Sequence, residues 1–276
     1  MEIFKTQKEL KKHLSSLPDK TIGFVPTMGA LHRGHLSLLI RAKVECELVI
    51  CSIFVNPTQF NDKKDFENYP ILIDEDIKQL KSIGCDILYL PENVEDVYLN
   101  ERDLNVDLGI LDKVMEGINR PGHFNGVMRV VKLLFDIVSP TKAYFGLKDY
   151  QQYLIIKTMT QQLNLTIEVI GCDIIREADG LAMSSRNLLL TFQQRQVATT
   201  LIKTLQYCKD HINEAPIEAL ERRCLAMMTQ YGEPEYFVIR RADNLEKVTP
   251  DYTGEVRAFV VCKIGKVRLI DNLQVR

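Results

Sequence analysis

Through the first two-thirds of the chain, short and almost continuously apolar runs alternate with longer stretches that are apolar only at helical spacing. The runs lie at 21–26, 48–55 (Leu-Val-Ile-Cys-Ser-Ile-Phe-Val), 86–90, 142–145 and 166–170. Runs of this length without polar alternation predict strands covered on both faces, as in a parallel sheet. Between them, helices are predicted at 35–46, 74–83, 126–138 and 149–163. Ile77, Leu80 and Ile83 share one face of the second; Val127, Val130, Val131, Leu134 and Val138 share one face of the third. This βαβα order predicts an open α/β sheet whose ligands gather at the carboxyl ends of its strands. Near 180–190 the pattern changes. Two helical stretches, 192–212 and 216–230, precede strand-like runs at 235–240, 256–263 and 266–270, with Gly265 marking a hairpin. That is an α+β unit, small but large enough to fold.

Composition narrows the class without naming a chemistry. The 276 residues are 46% hydrophobic and 26% charged, with a net charge of −2, so nothing points to nucleic acid or an anionic membrane. Charges interrupt every apolar stretch before it reaches a membrane span, and the N-terminus lacks the apolar core of a signal peptide. The seven cysteines, at 46, 51, 85, 172, 208, 224 and 262, never form Cys-x-x-Cys and sit mostly in apolar segments. They read as buried thiols in a reducing compartment, which makes the expected location the cytoplasm.

Five segments collect polar groups at predicted strand ends or loops. The first, Pro26-Thr27-Met28-Gly29-Ala30-Leu31-His32-Arg33-Gly34-His35, follows the first run and opens a helix. Helix N-termini offer unpaired N–H groups and positive potential, so this turn suits a polyphosphate. It is no P-loop, because Gly34 is followed by His35 and Leu36 where that motif needs Lys and Ser/Thr. The second segment, Asn56-Pro57-Thr58-Gln59-Phe60-Asn61, offers neutral amides to a small polar ligand, or simply an Asn-Pro turn. The third, Glu116 through Val127, puts Arg120 and His123 in a Gly/Pro-rich loop. In the fourth, Phe145 through Gln152, Lys148 can neutralise a phosphate, Asp149 can cap a helix or bind a ribose, and Gln152 lies one turn beyond Asp149. The fifth, Arg176 through Asn187, combines small residues, Ser184, Ser185 and Arg186 in a phosphate-gripping loop.

Taken together with Arg268-Leu269-Ile270-Asp271-Asn272, these motifs run in order from residue 21 to residue 272, and the chain resembles the pantoate–β-alanine ligase family of the His-x-Gly-His nucleotidyltransferase superfamily. The resemblance implies a Rossmann-like parallel-sheet domain at 1–178, a smaller α+β lid domain at 179–276 and a homodimer. It implies attack of pantoate's carboxylate on the α-phosphorus of ATP, then attack of β-alanine's amine on the pantoyl adenylate. It assigns ATP to Met28, Gly29, Ala30, Leu31, His32, Arg33, Gly34 and His35, to Gly146, Leu147, Lys148 and Asp149, and to Ile175, Met183, Ser184, Ser185 and Arg186. His35, the proton donor by resemblance, would act with His32, Lys148 and Arg186; Gln59 and Gln152 would hold pantoate. Mg²⁺ would be held largely by the triphosphate, with Asp76 favoured over Asp74 and Glu75 as its carboxylate. One departure stands out: Tyr69-Pro70 is followed by Ile71 where the family commonly has Arg. Two other readings are a nucleotidyltransferase that stops at nucleotide transfer and a non-catalytic nucleotide sensor. The paired amides and the intact set of cations argue against them.

Overall fold

A computed structural model describes residues 1–17, 19–60 and 66–276 and divides them into two compact units. The first comprises Met1–Leu147 and Gln152–Asp173, the second Lys148–Gln151 and Ile174–Arg276.

The sheet of the first unit is built from β1 (Glu2–Phe4), β2 (Ile22–Thr27), β3 (Leu48–Ile53), β4 (Ile87–Tyr89), β5 (Lys142–Gly146) and β6 (Glu168–Cys172). Their order is β1-β4-β3-β2-β5-β6, and every pairing is parallel. The helices are α1 (Gln7–Leu14), α2 (Arg33–Glu45), α3 (Ile73–Ser82), α4 (Val94–Tyr98), α5 (Glu116–Asn119), α6 (His123–Val138) and α7 (Tyr150–Gln162), the last of which supplies residues to both units. Side chains alternate across a sheet. Val25, Val49, Cys51 and Leu88 therefore join Leu38, Leu39 and Ala42 of α2 and Leu80 of α3 in one core. Phe24 and Phe145 leave by the opposite face and meet Phe135 of α6 edge-on, each at 6.4 Å between ring centroids. Covering both faces is what makes the strands continuously apolar.

The second unit carries the antiparallel sheet β7-β8-β9 (Glu233–Arg241, Val256–Ile264, Val267–Gln274) and the helices α8 (Phe192–Ala198), α9 (Thr200–Asp210) and α10 (Ile217–Thr229). Leu201, Leu205, Leu220 and Met228 pack on Phe237, Ala258, Val260 and Leu269. Gly265, at φ 60°, turns the β8–β9 hairpin. The predicted helix 192–212 is broken at Thr199, whose hydroxyl donates back to the Gln196 carbonyl at 2.8 Å.

The division falls at Ile174 rather than after 178, and Lys148–Gln151 also count with the second unit. Side-chain bonds account for both shifts. Arg176 grips the buried Asp271 carboxylate with two nitrogens, at 2.7 and 3.0 Å, and donates to the Gly180 carbonyl. Asn272 donates to the Lys148 carbonyl at 2.9 Å, and the Tyr150 hydroxyl donates to Ala242. Six of the seven cysteines are buried, Cys46 is half-buried, and all are free thiols. No helix among the described residues is long and apolar enough to cross a membrane.

Arg176→Ala leaves the Asp271 carboxylate buried without its partner and should lower the free energy of unfolding by about 3–5 kcal/mol, read as a fall in the denaturant midpoint. Arg176→Lys, which keeps the charge but not the planar fork, should recover only part of that loss.

Candidate functional site

The chain runs from β2 to β3 and β4 on one side, then returns to β5 on the other side of β2. The gap between the ends of β2 and β5 is thus the topological switch point, where parallel sheets bind ligands. The histidine turn leaves β2 there, and Gly146-Leu147 leave β5. The turn Pro57–Gln59 follows the adjacent β3.

The turn after β2 is left-handed at two successive residues, Gly29 at φ 84° and Ala30 at φ 48°. Gly29 is required twice over, since a Cβ there would also sit 3.0 Å from an Asp76 oxygen and from Ile53. Ala30 has no such freedom, and its conformation costs on the order of 1–2 kcal/mol. The offsetting interaction comes from α3. Asp76 accepts from the Ala30 amide at 2.9 Å and from the Leu31 amide at 2.7 Å, while Gln79, one turn on, donates to the Leu31 carbonyl at 3.3 Å. Asp76 has no exposed surface. Burial pushes its carboxyl above the ordinary range, and the two amide bonds pull it only partly back.

Asp76 is also the carboxylate that the resemblance favours for Mg²⁺. Both its oxygens are engaged by main-chain amides inside the fold, whereas Asp74 and Glu75 lie in the same first turn of α3 without those bonds. Among the described residues, no three His, Cys, Asp or Glu side chains gather as a metal-holding group. Ile71, the departure noted after Tyr69-Pro70, is exposed and leaves the core untouched.

The helix after the turn begins at Arg33, two residues earlier than the periodicity predicts, so the histidines cap it. His32 is the N-cap, and its Nδ1 accepts from the Gly34 amide at 3.1 Å. His35 occupies the third helical position, and its Nδ1 accepts from the His32 amide at 3.4 Å. This is a capping box in which histidines replace the usual hydroxyl and carboxylate. An Nδ1 that accepts cannot also carry a proton, so in the neutral ring the proton is on Nε2. The two rings lie 4.0 Å apart at the positive end of α2, each with Nε2–H as its donor.

Asn56, which the sequence left open as a ligand or part of an Asn-Pro turn, is engaged by the protein itself. It is buried, its oxygen accepts from the Tyr98 hydroxyl at 2.9 Å, and its nitrogen donates to the Gly126 carbonyl at 3.3 Å. The Gln59 side chain reaches the histidine turn, with Nε2 2.9 Å from the Met28 sulfur. Gln152 lies in α7, half-buried. Asn61 lies outside the described residues.

Of the expected nucleotide residues, Lys148, Asp149, Ile175 and Met183 through Arg186 belong to the second unit. The Met183 amide donates to the Ile175 carbonyl at 3.0 Å, which brings these two distant positions together. Ser184 caps the turn Ser185–Leu189 by accepting from the Arg186 amide. The Lys148 ammonium lies 3.6 Å from the Asp149 carboxylate. Asp271 and Asn272 of β9 hold Arg176 and the Lys148 main chain, a supporting role that sequence reasoning quoted as a motif and left without a task. Its signal was an acid–amide pair that follows the apolar Leu269-Ile270.

A profile of the family described as pantoate-beta-alanine ligase matches residues 2–274. A pantothenate synthetase of Cytophaga hutchinsonii is 44% identical over 273 residues, covering 96% of each chain. The crystal structure of a pantothenate synthetase from Thermus thermophilus superposes with a TM-score of 0.92 at 37% identity, covering 100% of this chain and 99% of that one. A pantoate-beta-alanine ligase from Francisella tularensis, complexed with beta-gamma ATP and beta-alanine, superposes with a TM-score of 0.83 at 35% identity, covering 100% and 98%.

Asp76→Ala leaves two buried amides without an acceptor, at roughly 1–3 kcal/mol for each unsatisfied group. The Ala30 and Leu31 amides should then exchange with solvent deuterium far faster than in the parent protein, while amides of β2 and β3 keep their protection. Unchanged exchange at both positions would show that the turn holds its shape without the carboxylate.

Proposed function

The chain belongs to the pantoate–β-alanine ligase family, and from that membership we infer that it is the enzyme joining (R)-pantoate to β-alanine at the expense of ATP. Pantoate's carboxylate attacks the α-phosphorus and expels pyrophosphate. The amine of β-alanine then attacks the acyl carbon of the pantoyl adenylate and releases AMP. The observation that carries this reading is the meeting, at one switch point, of a double-histidine helix cap with the neutral amide of Gln59. The cap suits a triphosphate, and an uncharged amide suits the hydroxyls and carboxylate of a small acid.

Displacement at phosphorus asks a protein for in-line placement and charge neutralisation rather than a nucleophile. We assign Met28–His35 to the phosphates. There the Nε2–H groups of His32 and His35 donate to oxygens that gain charge as pyrophosphate leaves. With Nδ1 of His35 occupied by an amide, its proton-donor role is read as donation of a hydrogen bond. Gln59 and Gln152 are assigned to pantoate, and Gly146–Asp149, Ile175 and Met183–Arg186 to the nucleotide, with Lys148 and Arg186 supplying positive charge. Excluding water from the adenylate, which would otherwise hydrolyse, is assigned to the second unit on the resemblance. Mg²⁺ is proposed to enter chelated by the triphosphate's own oxygens, where it neutralises phosphate charge; the buried, amide-bonded Asp76 does not fit a resident ion. Free thiols throughout support a reducing cytoplasm, and exposed Ile40 and Val44 on α2 offer apolar surface for a homodimer.

The deciding assay follows AMP with each substrate omitted in turn. AMP should require ATP, pantoate and β-alanine together; release at the full rate without β-alanine would favour simple nucleotide transfer. His35→Ala should lower turnover by about 10²–10³. His35→Asn, which keeps an acceptor for the cap but loses the Nε2 donor, should lose as much activity with a smaller loss of stability. Gln152→Ala should raise the KM for pantoate and leave that for ATP nearly unchanged; equal rises in both would remove Gln152 from the pantoate site.

A further inference from the structure

No step of the reaction uses the Gly/Pro-rich motif at 116–127, yet its side chains converge on one peptide. Gly122, left-handed at φ 80°, turns the chain so that α6 starts with His123. His123 is buried, and its Nδ1 lies 2.7 Å from the carbonyl oxygen of Gln59. A carbonyl only accepts, so Nδ1 carries the proton. Nε2 then presents its lone pair to an Arg120 nitrogen at 3.3 Å. The other terminal nitrogen of Arg120 lies 3.4 Å from the same Gln59 oxygen.

One turn further along α6, Gly126 is a contact surface. A Cβ there would lie 2.5 Å from the Thr58 carbonyl oxygen and 3.0 Å from the Gln59 Cα, so the Pro57–Gln59 turn rests on bare helix backbone. The Gly126 carbonyl in turn accepts from the buried Asn56 amide. Gln59 is thus held from below by Gly126 and at its carbonyl by His123 and Arg120, with its side chain directed at Met28.

We propose that His123 is a positioning residue for pantoate: through its bond to the Gln59 carbonyl it sets where the Gln59 amide stands beside the histidine turn. The proposal rests on the reading of Gln59 as a pantoate-binding residue. It explains why a buried imidazole stands at the start of this helix. A neutral Nδ1–H, kept in that tautomer by the neighbouring guanidinium, is a fixed donor at a fixed height above Gly126. Arg120 adds the second, longer bond to the same oxygen.

The test measures KM and kcat for pantoate and ATP in the full-length enzyme carrying His123→Phe, which keeps ring volume without a donor, and His123→Asn, whose amide can donate from the Nδ1 position. The phenylalanine variant should raise the KM for pantoate about tenfold or more while the KM for ATP stays within about twofold, and the asparagine variant should recover most of the loss. Gln59→Ala is measured alongside, and adding His123→Phe to it should raise the pantoate KM no further. Equal rises in both KM values, or a lowered melting point with unchanged KM values, would overturn the proposal. If Gln59→Ala leaves the pantoate KM unchanged, the assignment of Gln59 is at fault and the proposal falls with it. If Gln59→Ala raises that KM but His123→Phe does not, the brace alone is refuted. Should His123→Phe fail to fold, Arg120→Gln removes the second bond to the same carbonyl. It should raise the pantoate KM severalfold and leave that for ATP unchanged, and any other pattern would overturn the proposal.

Discussion

Two hydrogen bonds from main-chain amides to one buried carboxylate hold the site in shape. Asp76 binds the amides of Ala30 and Leu31 and so stabilises a turn whose second residue is left-handed without being glycine. Burying a charge is expensive, and burial does push the Asp76 carboxyl upward. What the fold gains is direction: the turn ends with His32 as the cap of α2 rather than as the last residue of a loose loop.

From that cap the electrostatics follow. Each histidine uses Nδ1 to satisfy a helix amide, which leaves the Nε2 protons as donors of defined position. Satisfying the helix start therefore also fixes the tautomer of each neutral ring. The same economy recurs next door. Asn56 is consumed in holding its own turn together, while the Gln59 amide is directed at the histidine segment. In the second unit, the buried pair Arg176–Asp271 and the Asn272 bond to Lys148 hold segments far apart in sequence.

Much of the parallel sheet was legible because its central strands β2, β3 and β5 are largely buried on both faces, and burial writes itself into the sequence as a mostly apolar run. β1, at three residues and with two of them exposed, carried no such signal. The short helices α4 and α5 were missed for the same reason, since five and four residues are too few to establish a period. The place of the histidine turn at the end of β2 and of Gln59 after β3 was readable from the strand pattern. Asp76 was noticed as an acid, but its bonds to the Ala30 and Leu31 amides were not foreseen, because a solvated first-turn acid and a buried anchor look alike among Asp74, Glu75 and Asp76.

By itself, the sequence determined the class of fold, the order of its elements and the reaction family. Those properties rest on local periodicity and on motifs whose order along the chain carries the information. The tertiary structure decided which polar groups hold the frame. Asp76, Asn56, His123 and Asp271 are all of the types that bind ligands, and all four are engaged by protein groups. That distinction depends on partners 45 to 95 residues away in the chain. Only folding brings such partners within hydrogen-bond distance, so no local pattern can record them.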